Sequence, residues 1–383
     1  MATMTYDLLV IGAGAVGTFH ALFAAKSGLR VALIDRDERP SGASVRNFGM
    51  VIPSGMAAGP WLDIARVSAA IYRDLAAAGA IRITGTGTLY LATTDLEAAV
   101  LAEFAGHGPA LGHRCSLLTA GQTVALHPSL RPESLVAALH FPDDLQIDQR
   151  GLFRTLIPWM VETLGIAWLP GREVVTIGRA GGRVTARLST GERIRASRAI
   201  ICPGPDLGRL YPDIAASAGI RACKLQMLRT APMPDLPFPA AIASGWSLRR
   251  YDSFAICPSH AALVAAPQPE PLERFGIHLL LKREADGSIT IGDSHQYSPD
   301  PAASSPALDP RIDAAMLHEA RRIISLPEWP IAERWAGWYP VSNGDSLVAE
   351  PEPGIHIAAI LGGKGMTCAP AFARENVGRL TGS

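Results

Sequence analysis

Three glycines and an acid carry the clearest chemistry in the sequence. Gly12-Ala-Gly14-Ala-Val-Gly17 follows the apolar run 6–11, and Asp35 closes a second apolar run, Arg30-Val-Ala-Leu-Ile34. In such a segment the first glycine allows a tight turn. The second lets backbone approach a pyrophosphate, and the third lets helix and strand pack closely. The helix N-terminus then aims its N–H groups at the phosphates. A carboxylate at Asp35 accepts from ribose hydroxyls and repels a 2′-phosphate. Strand, helix, second strand and acid stand in order, so Gly12, Gly14, Gly17 and Asp35 read as a dinucleotide site rather than a structural glycine turn.

The motif alone does not separate FAD from NAD. Two further segments favour FAD. Arg198-Ala-Ile-Ile-Cys-Pro-Gly204 reads as a strand and a small-residue turn beneath the cofactor. Gly362-Gly363-Lys364-Gly365-Met366-Thr367 reads as a turn before a helix, whose N–H groups could face a flavin carbonyl. A site assembled from both ends and the middle of the chain is unlike the contiguous NAD domain.

The elements that must position these residues follow from periodicity and punctuation. Residues 6–11, 18–27 and 30–34 form a βαβ unit. Residues 41–60 form a loop and 61–80 a helix, 81–95 suggest a hairpin, and 96–130 suggest helices with polar turns. Residues 151–165 suggest a helix in which Pro158 sits badly. Residues 172–202 alternate as a β-meander. Strand-like segments cover 222–230, 246–254, 275–283 and 288–295. After a loop at 299–310 come a helix over 311–325, a strand over 354–361 and a terminal helix.

Composition narrows the function. The 383 residues carry 35 basic and 35 acidic side chains, a net charge of +0, with 48% hydrophobic residues. Nucleic-acid and polybasic membrane partners want a net positive surface, so neither is expected. Disorder is excluded by the apolar fraction. The five cysteines are scattered without paired spacing, which argues against disulfides and against a zinc site, so no metal is expected and a reducing compartment fits. No apolar run is long enough to span a membrane, and no basic leader precedes Asp7. A cytoplasmic location follows.

The first 50 residues, the turn at residues 199–204 and the last 50 residues resemble the D-amino-acid-oxidase-like flavoproteins, which include glycine and sarcosine oxidases. A narrower resemblance rests on Ser44-Val-Arg-Asn-Phe-Gly49, Cys223-Lys-Leu-Gln-Met-Leu-Arg-Thr230, Leu248-Arg-Arg-Tyr-Asp-Ser-Phe254, Gly292-Asp-Ser-His295 and Glu333-Arg-Trp-Ala-Gly337. Together they are similar to a subgroup associated with bacterial aminophosphonate catabolism, whose members oxidise 2-aminoethylphosphonate or its N-methyl derivatives. The resemblance implies FAD; sarcosine oxidase carries a covalent cysteine–flavin bond, but no cysteine stands between Cys257 and Cys368 here, so non-covalent FAD is expected. It places Ser44, Arg46, Asn47 and Gly49 along the pyrophosphate and isoalloxazine. It puts Val174 and Gly204 near the adenine side and the turn, and Gly363, Lys364, Gly365, Met366 and Thr367 at the pyrimidine end. It departs at Gly337-Trp-Tyr-Pro340, where Tyr339 stands in place of the arginine that grips a carboxylate in glycine oxidase. It also places Thr290 where sarcosine oxidase carries an oxygen-activating lysine, so the acceptor is left as oxygen or another oxidant.

Such a flavoprotein moves a hydride from the carbon beside a neutral amine, and the protein supplies orientation and electrostatics. A phosphonate demands fixed donors, preferably arginine. The candidate cations are Arg46, Lys224, Arg249, Arg250, Arg334 and Lys364. Alternation along a strand at 246–254 sets Arg249 with Tyr251 on one face and Arg250 on the other, and selects Arg249. Arg249, Tyr251, Arg46 and Lys364 are therefore expected to bind substrate. His295, His278 and Tyr339 are expected to be catalytic, a histidine of near-neutral pKa accepting the ammonium proton.

The expected architecture is mixed α/β. A discontinuous Rossmann-type FAD domain covers 1–85, 145–220 and 325–383, and an antiparallel-sheet substrate domain covers 86–144 and 221–324. A glycine/sarcosine-type oxidase and a flavin-binding sensor or subunit without turnover are the alternatives.

Overall fold

The computed structural model describes residues 5–300 and 302–382; residues 1–4, 301 and 383, at the ends and inside the expected units, lie outside the described residues. Two sheets organise the chain. In the first, the strands Thr5–Ile11, Val31–Ile34, Ala167–Leu169, Arg193–Ile201 and Ile355–Ile360 run parallel, and the order is Ser346–Glu352, Ile355–Ile360, Arg193–Ile201, Thr5–Ile11, Val31–Ile34, Ala167–Leu169. The hairpin Val174–Ala180 and Arg183–Leu188 adds antiparallel strands beside Arg193–Ile201.

Both faces of this sheet are buried, which is why its strands read as unbroken apolar runs. Leu8, Val10 and Leu33 pack under the helices Ala15–Lys26, Leu152–Leu164 and Gly365–Thr381. Leu9, Ala32 and Ile34 face the meander side. The helix Ala15–Lys26 is apolar on nearly all sides because it lies between the sheet and its helical neighbours. Pro158 sits within the helix Leu152–Leu164, exposed, and the helix continues through it.

The second sheet has ten strands, mostly antiparallel, with Ala241–Ala243 parallel to Ile83–Ala92. Its two faces carry separate cores, one around Tyr90, Phe104 and Phe254, the other around Leu89, Ile242 and Ile291.

Several local expectations change. Residues 81–95 hold one strand, Ile83–Ala92, not a hairpin, because the Gly85-Thr-Gly87 segment bulges against Ala137–Ile147 instead of turning. Residues 96–130 include a strand, Ser116–Thr119. Residues 246–254 are not a strand but two 3-10 turns, Gly245–Arg249 and Asp252–Ile256. The strand Ile331–Val341, within the expected flavin unit, pairs with Arg221–Thr230 in the second sheet. The strands Ile83–Ala92 and Ala137–Ile147 run across the expected boundaries at 85 and 144.

Candidate functional site

The Gly12 turn joins the first strand to its helix at the carboxyl edge of the parallel sheet, where such folds bind ligands. Gly12 has φ 99°, and a Cβ there would sit 2.3 Å from the Cys202 carbonyl oxygen. A Cβ on Gly17 would lie 1.8 Å from the Gly12 carbonyl oxygen, so helix and turn can close only on glycine. Gly14 differs: a Cβ there would meet only the Ser44 hydroxyl, at 3.1 Å. That is the open cradle a pyrophosphate needs. The helix start receives no cap from Gly14 itself, and Ser44 Oγ accepts from Ala15 N at 2.9 Å. Asp35 accepts from Ala13 N at 2.6 Å and from Asp37 N at 3.0 Å, and burial raises its pKa. These features fit the ADP half of FAD. Val174 opens its strand just beyond Arg172, whose N–H donates to the Asp35 carbonyl at 2.8 Å.

A cavity of 450 Å³ runs from this turn to the space between the two sheets. Ser44, Asn47, Gly204, Gly363, Lys364, Gly365, Met366 and Thr367 line its flavin side. Asn47 shapes the loop, donating to the Ala43 and Ser44 carbonyls, both at 2.9 Å, while its Oδ1 accepts from Gly49 N at 2.6 Å. Gly49 lies behind the wall, against Ile147 and Gln149. Thr367 Oγ1 accepts from Ile52 N at 3.2 Å, tying the last helix to the loop.

The cations do not all face the cavity freely. Arg46 spends its guanidinium on the Ser41 and Ala336 carbonyls, at 2.7 and 2.8 Å. Lys364 is ion-paired with Asp345 and lies 5.3 Å over the Trp61 ring. Arg249 is outside the cavity: it pairs with buried Glu97 at 3.3 Å and stacks 4.6 Å over Trp246. Its selection rested on strand alternation, and the 3-10 turns remove that premise. The residue on the wall is Arg250, which donates to the Tyr339 hydroxyl at 3.1 Å. Protein surrounds Arg250, yet its side chain stays exposed, because the surface it exposes is cavity wall. Burial pulls its pKa down, but the oxygens of Tyr339, Asp293 and Tyr297 raise it further, so it stays charged.

Tyr251 also lines the wall, edge-on to His278 at 5.6 Å. Tyr339, buried, sits across from Cys223 on the paired strands. His278 and His295 line the same cavity together with Asp293, which sequence reasoning missed. The hairpin of Leu280–Arg283 and Ile289–Gly292 explains the grouping: with Leu280 opposite Gly292, the residues just outside the pair meet at one end. The sequence marked the two strand segments, 275–283 and 288–295, but not the register that brings their ends together. The histidines do not keep the near-neutral pKa expected of them. Burial pushes His295 down to about 3 and lowers His278, while Asp293 is held at about 2, the nearby histidines and Arg250 outweighing its burial.

Thr290 is fully buried and donates to Glu284 at 2.5 Å. Its cross-strand partner is Lys282, also fully buried, whose Nζ donates to the Ile147 carbonyl at 2.6 Å and to Glu284 at 2.9 Å.

Fold and cavity together define a two-sheet dinucleotide-binding protein. A family model, FAD dependent oxidoreductase, matches residues 7–377. Glycine oxidase of Geobacillus kaustophilus (strain HTA426) is 27% identical over 244 residues, 61% of this chain and 64% of its own. An opine oxidase component from Rhizobium meliloti is 25% identical over 240 residues, 58% of this chain and 63% of its own. The match thus spans just under two thirds of each of these relatives. The crystal structure of glycine oxidase from Bacillus cereus ATCC 14579 superposes with a TM-score of 0.80 at 21% identity, covering 98% of this chain and 95% of that one. The chain belongs to the FAD-dependent oxidoreductase family, and FAD is its cofactor. Among the described residues no helix is long and apolar enough to cross a membrane.

Proposed function

We propose that the chain oxidises the C–N bond of a small anionic amine, with 2-aminoethylphosphonate or its N-methyl derivatives as substrate and phosphonoacetaldehyde as product. The observation that carries this reading is Arg250. Among the described cations lining the cavity, it alone has its guanidinium on a hydroxyl rather than on a carboxylate or a carbonyl. A planar, permanently charged fork open to an enclosed space suits an oxyanion with several acceptor oxygens. Tyr339 stands where the resemblance expects a carboxylate-gripping arginine, which favours a different anion from a simple amino acid.

Bound FAD supplies the two-electron acceptor for the hydride. Gly12, Gly14, Gly17, Asp35 and Ser44 would hold its ADP half, and the turn at residues 363–367 its pyrimidine end. Arg250 holds the anionic end of the substrate, with Tyr339 fixing the guanidinium. Phe48, Leu225 and Leu280 on the walls exclude water. Lys364 and Arg46 brace the loop and the last helix around the flavin. The five cysteines, all free thiols, support a reducing compartment and a cytoplasmic location.

Anaerobic mixing of the yellow protein with 2-aminoethylphosphonate, its N-methyl form, glycine and sarcosine tests the reading through flavin absorbance. Bleaching by the phosphonates is expected, and admitting air then reports whether oxygen is the acceptor. Bleaching by glycine or sarcosine alone would replace the reading with an amino acid oxidase. No bleaching by any amine would leave a flavin-binding sensor or subunit.

A further inference from the structure

The cluster at the end of the 280–292 hairpin has more acceptors than donors. His295 Nδ1 lies 2.8 Å from the Gly276 carbonyl oxygen, which can only accept, so the ring's proton sits on Nδ1 and Nε2 carries a lone pair. Ser247 Oγ lies 3.4 Å from the His278 carbonyl oxygen and 3.3 Å from His278 Nδ1, and its single proton can go to either. His278 Nε2 is bare when the ring is protonated on Nδ1 toward Ser247. Both Nε2 atoms turn to Asp293: His278 Nε2 is 3.0 Å from Oδ1 and His295 Nε2 is 3.8 Å from Oδ2. Asp293 is only 7% exposed, and its Oδ1 is without a hydrogen-bond partner. The three ligand atoms lie within 4.8 Å of one another. A buried carboxylate and two imidazole nitrogens converge with at most one ring proton among them, an arrangement short of a cation.

We propose that His278, Asp293 and His295 bind one divalent transition-metal ion, and that this ion and Arg250 together take the anionic end of the substrate. Ligand atoms sharing such an ion stand about 3–3.4 Å apart at the usual bond lengths; the His278–Asp293 pair at 3.0 Å meets this, and His295 at 3.8 Å would draw in on binding. Each histidine is already oriented through its other ring nitrogen by Ser247 or Gly276, the outer support that metal-bound imidazoles receive. Two imidazoles and one carboxylate suit a first-row ion with open positions toward the cavity. Arg250 opposes a second cation nearby. With an anion present that opposition becomes selectivity: the ion's two charges and Arg250's one, less that of Asp293, leave a doubly positive pocket that matches a phosphonate dianion better than a carboxylate. This second half rests on the amine oxidation proposed above; the metal site itself does not.

The flavin-loaded protein, dialysed against EDTA, is titrated with Zn²⁺ by calorimetry and its metal content measured. One ion per chain is expected, with binding abolished in Asp293→Asn and His295→Gln and weakened about tenfold in Ser247→Ala. Flavin content and melting temperature report whether each variant folds. No uptake by the parent protein, or equal uptake by His295→Gln, overturns the proposal. Methylphosphonate and acetate are then titrated against the flavin spectrum with and without Zn²⁺. Tightening of methylphosphonate by about tenfold more than acetate is expected from reciprocal coupling; equal effects overturn the substrate half. Neither readout uses amine turnover, so failure of the proposed reaction would be seen separately.

Discussion

Arg249 and Arg250 are adjacent in sequence and opposite in surroundings, which makes them a matched pair of probes. Arg249 neutralises Glu97, whose side chain is 1% exposed. Removing it strands a buried charge, so Arg249→Met should lower stability by about 3–5 kcal/mol. Its effect on KM should be small, because it does not line the cavity. Arg250→Met should do the reverse. It leaves the melting temperature nearly unchanged and costs about 2–5 kcal/mol of binding to an anionic substrate, read as a rise in KM. A thermal melt and a KM for each variant check both halves; a KM effect confined to Arg249→Met would return the assignment to that residue. The sequence could narrow the choice to these two residues, because an arginine pair stood beside Tyr251. It could not choose between them, because the choice depended on whether 246–254 alternates, and Gly245 opens a 3-10 turn instead.

At the scale of elements, legibility followed locality. The βαβ unit around Gly12, Gly17 and Asp35 was readable because strand, turn and helix specify one another within a few residues. The same unit offers a test that separates fold from cofactor. Gly17→Ala forces a Cβ against the Gly12 carbonyl oxygen, so protein yield and melting temperature should both fall. Gly14→Ala meets only a movable Ser44 hydroxyl, so the protein should fold but lose flavin, read as a fall in yellow absorbance per chain. What could not be read was pairing between distant segments. The strand Ile331–Val341 left the flavin unit because its partner is Arg221–Thr230. Asp293 escaped notice because no spacing reports that a hairpin brings it beside both histidines. Lys282 is a third case: its charge is answered by Glu284, two residues on and just past the strand's end, and by the Ile147 carbonyl. Lys282→Met should destabilise by about 3–5 kcal/mol, and adding Glu284→Gln should restore much of that loss. Urea unfolding of the single and double variants measures it.

The whole molecule should be sensitive to mild acid, because its buried histidines are spread through both sheets' cores. His20 lies against Phe372 in the flavin-side core and is pushed down to about 4 by burial. His113, between Phe104 and Phe141, and His127, against Phe238, are likewise pushed to about 4 by burial in the other half. His295 at the cavity is lower still, at about 3. In the unfolded chain these rings take up protons near 6.5. Between about pH 6.5 and 4 the unfolded state therefore binds up to four protons that the folded state refuses, and stability must fall as pH falls through that window. Asp144 works in the opposite direction. Burial raises it to about 7, so the folded state holds a proton there that the unfolded state releases above 3.8. The balance is about three protons in favour of unfolding near pH 5, which for a chain of this size corresponds to a melting temperature falling by roughly 5 °C per pH unit. Because the four histidines sit in different cores, the loss should appear as one transition shifting as a whole, with flavin release and loss of helix signal coinciding. Melts of the flavin-loaded protein from pH 7.5 to 4.5, followed by flavin fluorescence and circular dichroism, measure both features. A flat profile would mean that the histidines are wetter than their packing implies. Separated transitions would mean that the two sheets unfold independently despite the strands they share across the expected boundary.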